Sequence, residues 1–138
     1  MPQPNTRPRR TGHPGYTETL PRQPESAALA RRLARTALTT WDLSHLTDDA
    51  ALVISELVAN AVQHAQRDSI RVTVERAASD TVRVSVTDFS GTLPEPRTPT
   101  ANDENGRGLT LIAALATNWG TDERRWGKVV WAELEGRG

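Results

Sequence analysis

The 138-residue chain contains no cysteine and only three histidines. The absence of cysteine excludes disulfide bonds, zinc–cysteine sites, iron–sulfur clusters and a cysteine nucleophile, and no two histidines stand in metal-ligand spacing. No apolar run approaches the roughly 20 residues that a membrane span requires, and the first ten residues lack the apolar stretch of a secretory signal. We therefore expect a cytoplasmic protein that does not interact with membranes.

The net charge is zero at neutral pH, but the charges are unevenly distributed. Residues 1–35 carry seven arginines and two acidic residues, whereas residues 36–138 carry ten basic and fifteen acidic residues. An acidic body does not favour a phosphate backbone, so we expect no direct contact with nucleic acid. Residues 1–15 are basic, rich in proline and nearly free of apolar residues. This composition predicts a disordered tail, or alternatively a basic arm for an acidic partner, before a single folded domain over residues 16–138.

The hydropathy pattern predicts the element order β-α-α-β-β-α-β-β. The predicted elements are a strand at Tyr16–Leu20, helices from Pro24 and from near Thr47, a hairpin with alternating apolar residues at Ile70–Val74 and Val82–Val86, a proline-rich loop at Gly91–Asn105, a helix opened by Gly106, and strands at Trp119–Arg124 and Lys128–Leu134. The predicted buried stripe of the first helix consists of Leu29, Leu33, Ala37 and Trp41. Helices grouped between runs of strands predict an α+β fold, a two-layer α/β sandwich with helices packed on one face of a mixed β-sheet.

Three polar residues of the second predicted helix, Glu56, Asn60 and His64, are spaced four residues apart and form one stripe beside the apolar face. A carboxylate and an amide one turn apart can act together on a metal-bound phosphate. The amide oxygen can bind Mg²⁺, and the carboxylate can orient or deprotonate an attacking hydroxyl. The alternative for such a stripe, when it stands alone, is a solvated helix face without chemistry.

Two further segments have residue types suited to a nucleotide. Asp88-Phe89-Ser90-Gly91 follows the third predicted strand, where an aspartate can accept a hydrogen bond from an exocyclic amine such as that of adenine. A plain turn is the alternative for this segment. Glu104-Asn105-Gly106-Arg107-Gly108-Leu109 precedes the third predicted helix, where glycines let backbone N–H groups approach a phosphate and the helix dipole favours anions. It matches neither the Walker A pattern nor GxGxxG, and a flexible loop entering a helix is its alternative.

In this order, the sequences ELVANAVQHA, DFSG and ENGRGLTLIAALATNWG resemble the N, G1 and G2 boxes of the GHKL, or histidine kinase-like, ATP-binding fold. The stretch from about Tyr16 to Leu134, which closes with GKVVWAEL, resembles the small anti-sigma-factor serine kinases of that superfamily. The resemblance implies a Bergerat-type ATP-binding fold with ATP and Mg²⁺ as cofactors. It departs from the family pattern Asp-x-Gly-x-Gly in the G1 box, where Ser90 stands in the place of the first glycine.

The resemblance implies a role for each residue that matches a family motif. Glu56 matches the catalytic carboxylate that activates the substrate hydroxyl, Asn60 matches the Mg²⁺ ligand, and Asp88 matches the adenine-binding aspartate. The remaining nucleotide-binding residues that it implies are His64, near the phosphates, Gly91 in the G1 box, and Gly106, Arg107, Gly108 and Leu109 in the segment that closes a lid over residues 91–105.

The function that the resemblance implies is that of an Mg-ATP-dependent serine/threonine-protein kinase that regulates transcription by partner switching. Its partners would be a sigma factor, which it sequesters, and a STAS-type anti-anti-sigma protein, which it phosphorylates on Ser or Thr, and a homodimer is left open. The retained Glu56 favours this interpretation. The altered G1 box favours an alternative, an ATP-dependent interaction module with little or no kinase turnover. A third interpretation, an interaction domain without nucleotide, requires three separate coincidences.

Overall fold

The computed structural model of the chain describes residues 14–64, 67–89 and 105–136, except for the side chains of residues 105–109. The described elements follow the predicted order. They are the strands β1 (Gly15–Pro21), β2 (Ser69–Ala78), β3 (Thr81–Phe89), β4 (Asn118–Arg124) and β5 (Gly127–Glu135), the helices α1 (Ser26–Thr40), α2 (Thr47–His64) and α3 (Asn105–Leu115), and a 3₁₀ turn at Ser44–Leu46. The predicted tail and the predicted loop after β3 lie outside the described residues except at their ends, so the domain boundary stays a prediction. None of the described helices is long and apolar enough to cross a membrane.

The five described strands form one sheet in the order β1-β2-β3-β5-β4, and every neighbouring pair is antiparallel. The predicted α+β fold with helices beside one sheet is confirmed, but the sheet is not mixed as predicted. Two helices separate β1 from β2, so the chain crosses the molecule twice and β2 returns antiparallel to β1. The single helix α3 makes β4 parallel to β3, but β5 turns back by a hairpin and lies between these two strands.

The hairpin of β2 and β3 supplies the apolar side of the sheet. The predicted apolar residues of the two strands are at most 1% exposed, and the register pairs Val72 with Val86 and Val74 with Val84. Burying an aliphatic side chain of this kind contributes about 1.5–3 kcal/mol. The alternation of buried and outward residues therefore determines which side of the sheet the helices cover, as predicted.

The buried face of α1 differs from the predicted stripe. Leu29 is 41% exposed and Leu33 is only partly buried, whereas the buried residues of the helix are Ser26, Ala30, Ala34, Ala37 and Leu38. Ala37 and Trp41 of the predicted stripe are buried as predicted. Leu29 lies about 100° around the helix from Ala30, because 3.6 residues complete one turn. The first turns of α1 therefore pack through small alanines, and Leu29 faces away from the core.

Candidate functional site

The C-terminus of α2, the N-terminus of α3 and the end of β3 all lie toward the same end of the sheet, where β3 ends and β5 begins. We call this the site edge. The helix α3 leads into β4, whose first residue, Asn118, pairs with Glu133 near the opposite end of β5. Its 11 residues extend about 16 Å, so its N-terminus points back toward the site edge. The C-terminal end of α2 lies at the same edge, beside Asp88.

Asp88 lies on the helix-facing side of the sheet because the alternation of buried valines in β3 continues to it. It is 7% exposed, and this burial raises the pKa of its carboxyl above the ordinary value. The charge and the backbone N–H of Lys128 act in the opposite direction, as does the charge of His64, while Glu123 adds to the rise in pKa. The result is a buried acceptor group whose charge is incompletely compensated by the protein.

Gly127, on the neighbouring strand, lies directly against the backbone of Asp88. Its φ is +154°, and a Cβ at this position would lie 1.9 Å from the carbonyl oxygen of Asp88. A side chain there would displace the end of β3, so the position requires glycine. The predicted strand begins one residue later, at Lys128, so the sequence did not single out Gly127. The available signal was a glycine at the first residue of a strand.

The predicted stripe of α2 is present, and all three of its members are partly buried. His64 is near enough to Asp88 for its charge to lower the pKa of that carboxyl, so the stripe and β3 meet at the site edge. Glu56 lies two turns earlier on the helix, one turn beyond Leu52, which is 50% exposed. Within the described part of the chain, no hydrogen bond or ion pair engages the side chains of Glu56 and Asn60. Their polar atoms therefore remain available to a ligand.

Arg22, which the sequence analysis did not single out, anchors the end of α2. Its Nε donates to the carbonyl of Arg67 at 2.7 Å, and its Nη1 donates to the carbonyl of Val62 at 3.2 Å. The backbone N–H of Arg22 also donates to the carbonyl of Asp68 at 2.7 Å. A cation at a helix C-terminus stabilises carbonyls that lack partners within the helix. Arg22 thus holds the last turn of α2 against the end of β1, and no local pattern distinguishes it from the other arginines.

The remaining predicted residues belong to the two glycine-containing segments. The beginning of α3 is formed by the backbone of Gly106, Arg107, Gly108 and Leu109. The structure does not describe the side chains of these four residues. Gly91 lies outside the described residues altogether. The structure therefore brings His64, Asp88 and the start of α3 toward one edge, and the role of Gly91 stays a prediction.

In the described ranges, no group of three or more carboxylate or histidine side chains lies together in a way that could hold a metal ion. A protein site for Mg²⁺ does not require such a group, because Mg²⁺ keeps several waters and is commonly bound through one or two protein ligands together with phosphates. A single amide oxygen such as that of Asn60 is compatible with this kind of coordination.

Comparison with known proteins supports a nucleotide-binding fold. The model of the family described as the histidine kinase-like ATPase domain matches residues 20–134. Among solved structures, the chain is similar to the histidine kinase domain from the Erythrobacter litoralis EL346 blue-light activated histidine kinase, with a TM-score of 0.51 and 20% sequence identity. The similarity covers 85% of this chain and 62% of that chain, so this chain spans less than two thirds of its length and the likeness is one of fold. No curated protein matches the chain.

Proposed function

The chain belongs to the histidine kinase-like ATPase domain family, and we propose that it binds Mg-ATP at the site edge and acts as a serine/threonine-protein kinase. The observation that carries this proposal is the carboxyl of Asp88, which is 7% exposed and lies beside the end of α2. Recognition of an adenine amine needs an acceptor that is buried from solvent, because water does not easily replace a hydrogen bond there.

The residues of the site edge fit a purine nucleotide. A carboxylate offers about four acceptor positions, and among its described neighbours the backbone N–H of Lys128 favours the ionised form of Asp88 and lowers its pKa. Acceptor capacity therefore remains for an exocyclic amine. The first turn of α3 offers backbone N–H groups to phosphates. Asn60 would hold Mg²⁺, which when bound neutralises charge on the phosphates.

Glu56 is the proposed acceptor of the proton of a Ser or Thr hydroxyl. The hydroxyl oxygen forms a bond to the γ-phosphorus, and the bond between that phosphorus and its bridging oxygen breaks. ADP departs with the electron pair, and the hydroxyl proton moves to Glu56. Phosphoryl transfer depends mainly on positioning and charge neutralisation, so a site with few catalytic side chains is sufficient.

The resemblance of the three boxes to those of anti-sigma-factor serine kinases supports a particular substrate and partner. The proposed substrate is a Ser or Thr of a STAS-type anti-anti-sigma protein, and the proposed second partner is a sigma factor that the chain sequesters. A regulator of this kind acts in the cytoplasm, and a homodimer is included in the proposal. Incubation of the purified protein with radiolabelled ATP and STAS-domain proteins from the same genome tests the substrate directly. Label on none of them contradicts the proposed kinase activity.

Nucleotide binding is tested separately by thermal unfolding. ATP or ADP with Mg²⁺ is expected to raise the melting temperature, since a ligand at one hundred times its Kd adds about 2.7 kcal/mol of stability. Omission of Mg²⁺ should reduce the effect of ATP. No shift with any nucleotide would contradict the whole proposal.

Two substitutions in α2 separate metal binding from proton transfer. Asn60→Ala is expected to weaken Mg-ATP binding, because the ion loses a protein ligand. Glu56→Gln is expected to leave binding nearly unchanged and to slow phosphoryl transfer by about 10² to 10⁴. Asp49→Asn, an exposed change in the first turn of the same helix, serves as the control and should alter neither property. Full activity in Glu56→Gln would assign the base to another residue.

A second candidate function rests on the altered G1 box, in which Ser90 follows Phe89 where the family pattern has glycine. In this alternative the chain is an interaction module whose partner affinity depends on bound ATP, with little or no transfer. Stabilisation by nucleotide and nucleotide-dependent partner binding, without labelled product, would favour the alternative over the kinase.

A further inference from the structure

The register of the sheet places three charged residues side by side at the site edge. Asp88 of β3 pairs with Lys128 of β5, which in turn pairs with Glu123 of β4. Directly opposed residues of antiparallel strands share a face of the sheet, and their Cβ atoms lie about 4.5–5.5 Å apart. Lys128 therefore stands between two carboxylates on the helix-facing side, where Asp88 is buried.

Lys128 and Asp88 attract each other without forming an ion pair. The positive charge and the backbone N–H of Lys128 both favour the ionised form of Asp88. Yet, in the described part of the chain, no ion pair within 4.0 Å joins Lys128 to Asp88 or to Glu123. Lys128 is only partly buried, so its flexible stem leaves the ammonium free to turn toward a ligand. A donor and an acceptor that stand together but do not contact each other can both bind one molecule.

Adenine presents a matching pair of groups. Its exocyclic amine donates hydrogen bonds, and the ring nitrogens on either side of that amine accept them. A carboxylate alone recognises only the amine. A carboxylate with an ammonium beside it recognises the amine and an adjacent ring nitrogen, which ties the base at two points.

Resting on the proposed nucleotide binding, we propose that Lys128 determines base recognition: its ammonium donates to a ring nitrogen of adenine while Asp88 accepts from the exocyclic amine. This assignment separates Lys128 from the phosphates, which lie toward the start of α3 in the proposed function. It also gives Lys128 a direct contact with the base, whereas a residue that only keeps Asp88 ionised would have no such contact.

The test is the affinity of adenine ligands for the full chain and for Lys128→Met, measured by calorimetry. Loss of a hydrogen bond from a charged donor is expected to weaken ADP binding about ten-fold. Adenosine should be weakened by the same factor, because the contact is to the base. Analogues in which carbon replaces one of the two neighbouring ring nitrogens, 1-deaza-ADP and 7-deaza-ADP, identify the acceptor. The analogue that lacks the contacted nitrogen should bind both proteins equally.

Two control variants make the result specific. Arg124→Met removes an exposed cation of the adjacent strand, paired with Asp122 at 3.8 Å, and should leave ADP affinity unchanged. Lys128→Arg keeps a charged donor and should retain more affinity than Lys128→Met, while circular dichroism verifies that all variants fold.

Several outcomes would overturn the inference. Unchanged ADP affinity in Lys128→Met would show that the side chain is only solvated or paired with Glu123. A loss with ADP but not with adenosine would place the ammonium on a phosphate. An equal loss with both deaza analogues would show that Lys128 acts only through the charge of Asp88. Failure of the unaltered protein to bind any adenine ligand would instead overturn the proposed function together with this inference.

Discussion

Two rows of residues on the same side of the sheet have opposite chemistry. The middle row is apolar and consists of Val72, Val86 and Val130. The row at the site edge consists of Ile70, Asp88 and Lys128, each two residues from the middle row on its own strand. Both rows face the helices, and the middle-row residues are at most 6% exposed. The period of two determines only the side that a residue faces. Whether a charge is tolerated there depends on what the strand end meets, and at the site edge it meets the end of α2.

The largest effect is expected when a charge is moved from the edge row into the middle row. Val86→Asp places a carboxylate where valine is 1% exposed, with no cation paired to it. An uncompensated buried charge is expected to cost about 4 kcal/mol or more, a large part of the stability of a small domain. Urea unfolding measures the loss. Val86→Ala, which removes only methyl groups, should cost clearly less. Equal losses in the two variants would contradict the distinction between the rows.

A side chain at Gly127, directly beside the edge row, is expected to have the next largest effect. Gly127→Ala introduces a Cβ 1.9 Å from the carbonyl oxygen of Asp88 at a φ of +154°. We expect a loss of about 3 kcal/mol and of the thermal shift caused by nucleotide, because the end of β3 must move. The matched control is Gly120→Ala, whose Cβ would lie 3.0 Å from Cζ2 of Trp131. A smaller destabilisation with intact nucleotide response is expected there, and a reversed order would refute the role of Gly127.

Replacing the charged Asp88 of the edge row tests what its burial costs in stability and what its charge contributes to nucleotide binding. Asp88→Asn is expected to weaken adenine-nucleotide binding about 10- to 100-fold, because an amide replaces a charged acceptor. Without ligand, the same variant should be more stable at neutral pH. The raised pKa of Asp88 means that the folded state disfavours the ionised carboxyl, so ionised Asp88 opposes folding.

The pH dependence of this penalty has a definite sign. As the pH falls through the raised pKa of Asp88, the penalty decreases, and it vanishes below the ordinary pKa of an aspartate. Nucleotide affinity should fall over the same interval, since the proton occupies an acceptor position. The difference in unfolding free energy between the unaltered protein and Asp88→Asn, measured against pH, checks the first statement, and the affinity for ADP over the same pH range checks the second. A difference that does not change with pH would show that burial does not control this carboxyl.

The smallest effect is expected at the opposite end of the molecule, where α1 ends. Asp42 adopts φ 61° between two hydrogen bonds of a Schellman motif, from its own N–H to Thr39 at 3.1 Å and from the N–H of Leu43 to Leu38 at 2.7 Å. Glycine is the preferred residue at such a position. Asp42→Gly should therefore stabilise the chain by about 0.5–1 kcal/mol, without changing nucleotide affinity. Asp42→Ala should be less stable than the unaltered protein, and denaturation curves of the three decide the matter.

Sequence patterns were most reliable where the cause is local. The period of two in β2 and β3 predicted the hairpin, and its apolar face is confirmed by the burial of Val82, Val84 and Val86. The stripe of α1 was wrong at Leu29, because two candidate faces of a helix differ by only a small rotation. The core selects between them, and the alanines allowed closer packing.

The candidate site shows the same division. The stripe of α2 and Asp88 carried enough local pattern for prediction, although their roles in binding and catalysis stay predictions. Arg22 carried none, and Gly127 carried only a glycine at the start of a strand. The hydrogen bond from Arg22 to Val62 joins positions 40 residues apart, and the constraint on Gly127 comes from the carbonyl of Asp88 on another strand.

The sequence by itself determined the order of the elements, the side of the sheet that each strand residue faces, and the residue types available for a nucleotide. These follow from periodicity, turn chemistry and composition, which act over a few neighbouring residues. Only the tertiary structure decided that β5 lies between β3 and β4, and hence that the sheet is antiparallel and Lys128 stands beside Asp88. Strand order depends on which long-range pairing buries the most apolar surface with satisfied hydrogen bonds, and no segment of the chain contains that information alone.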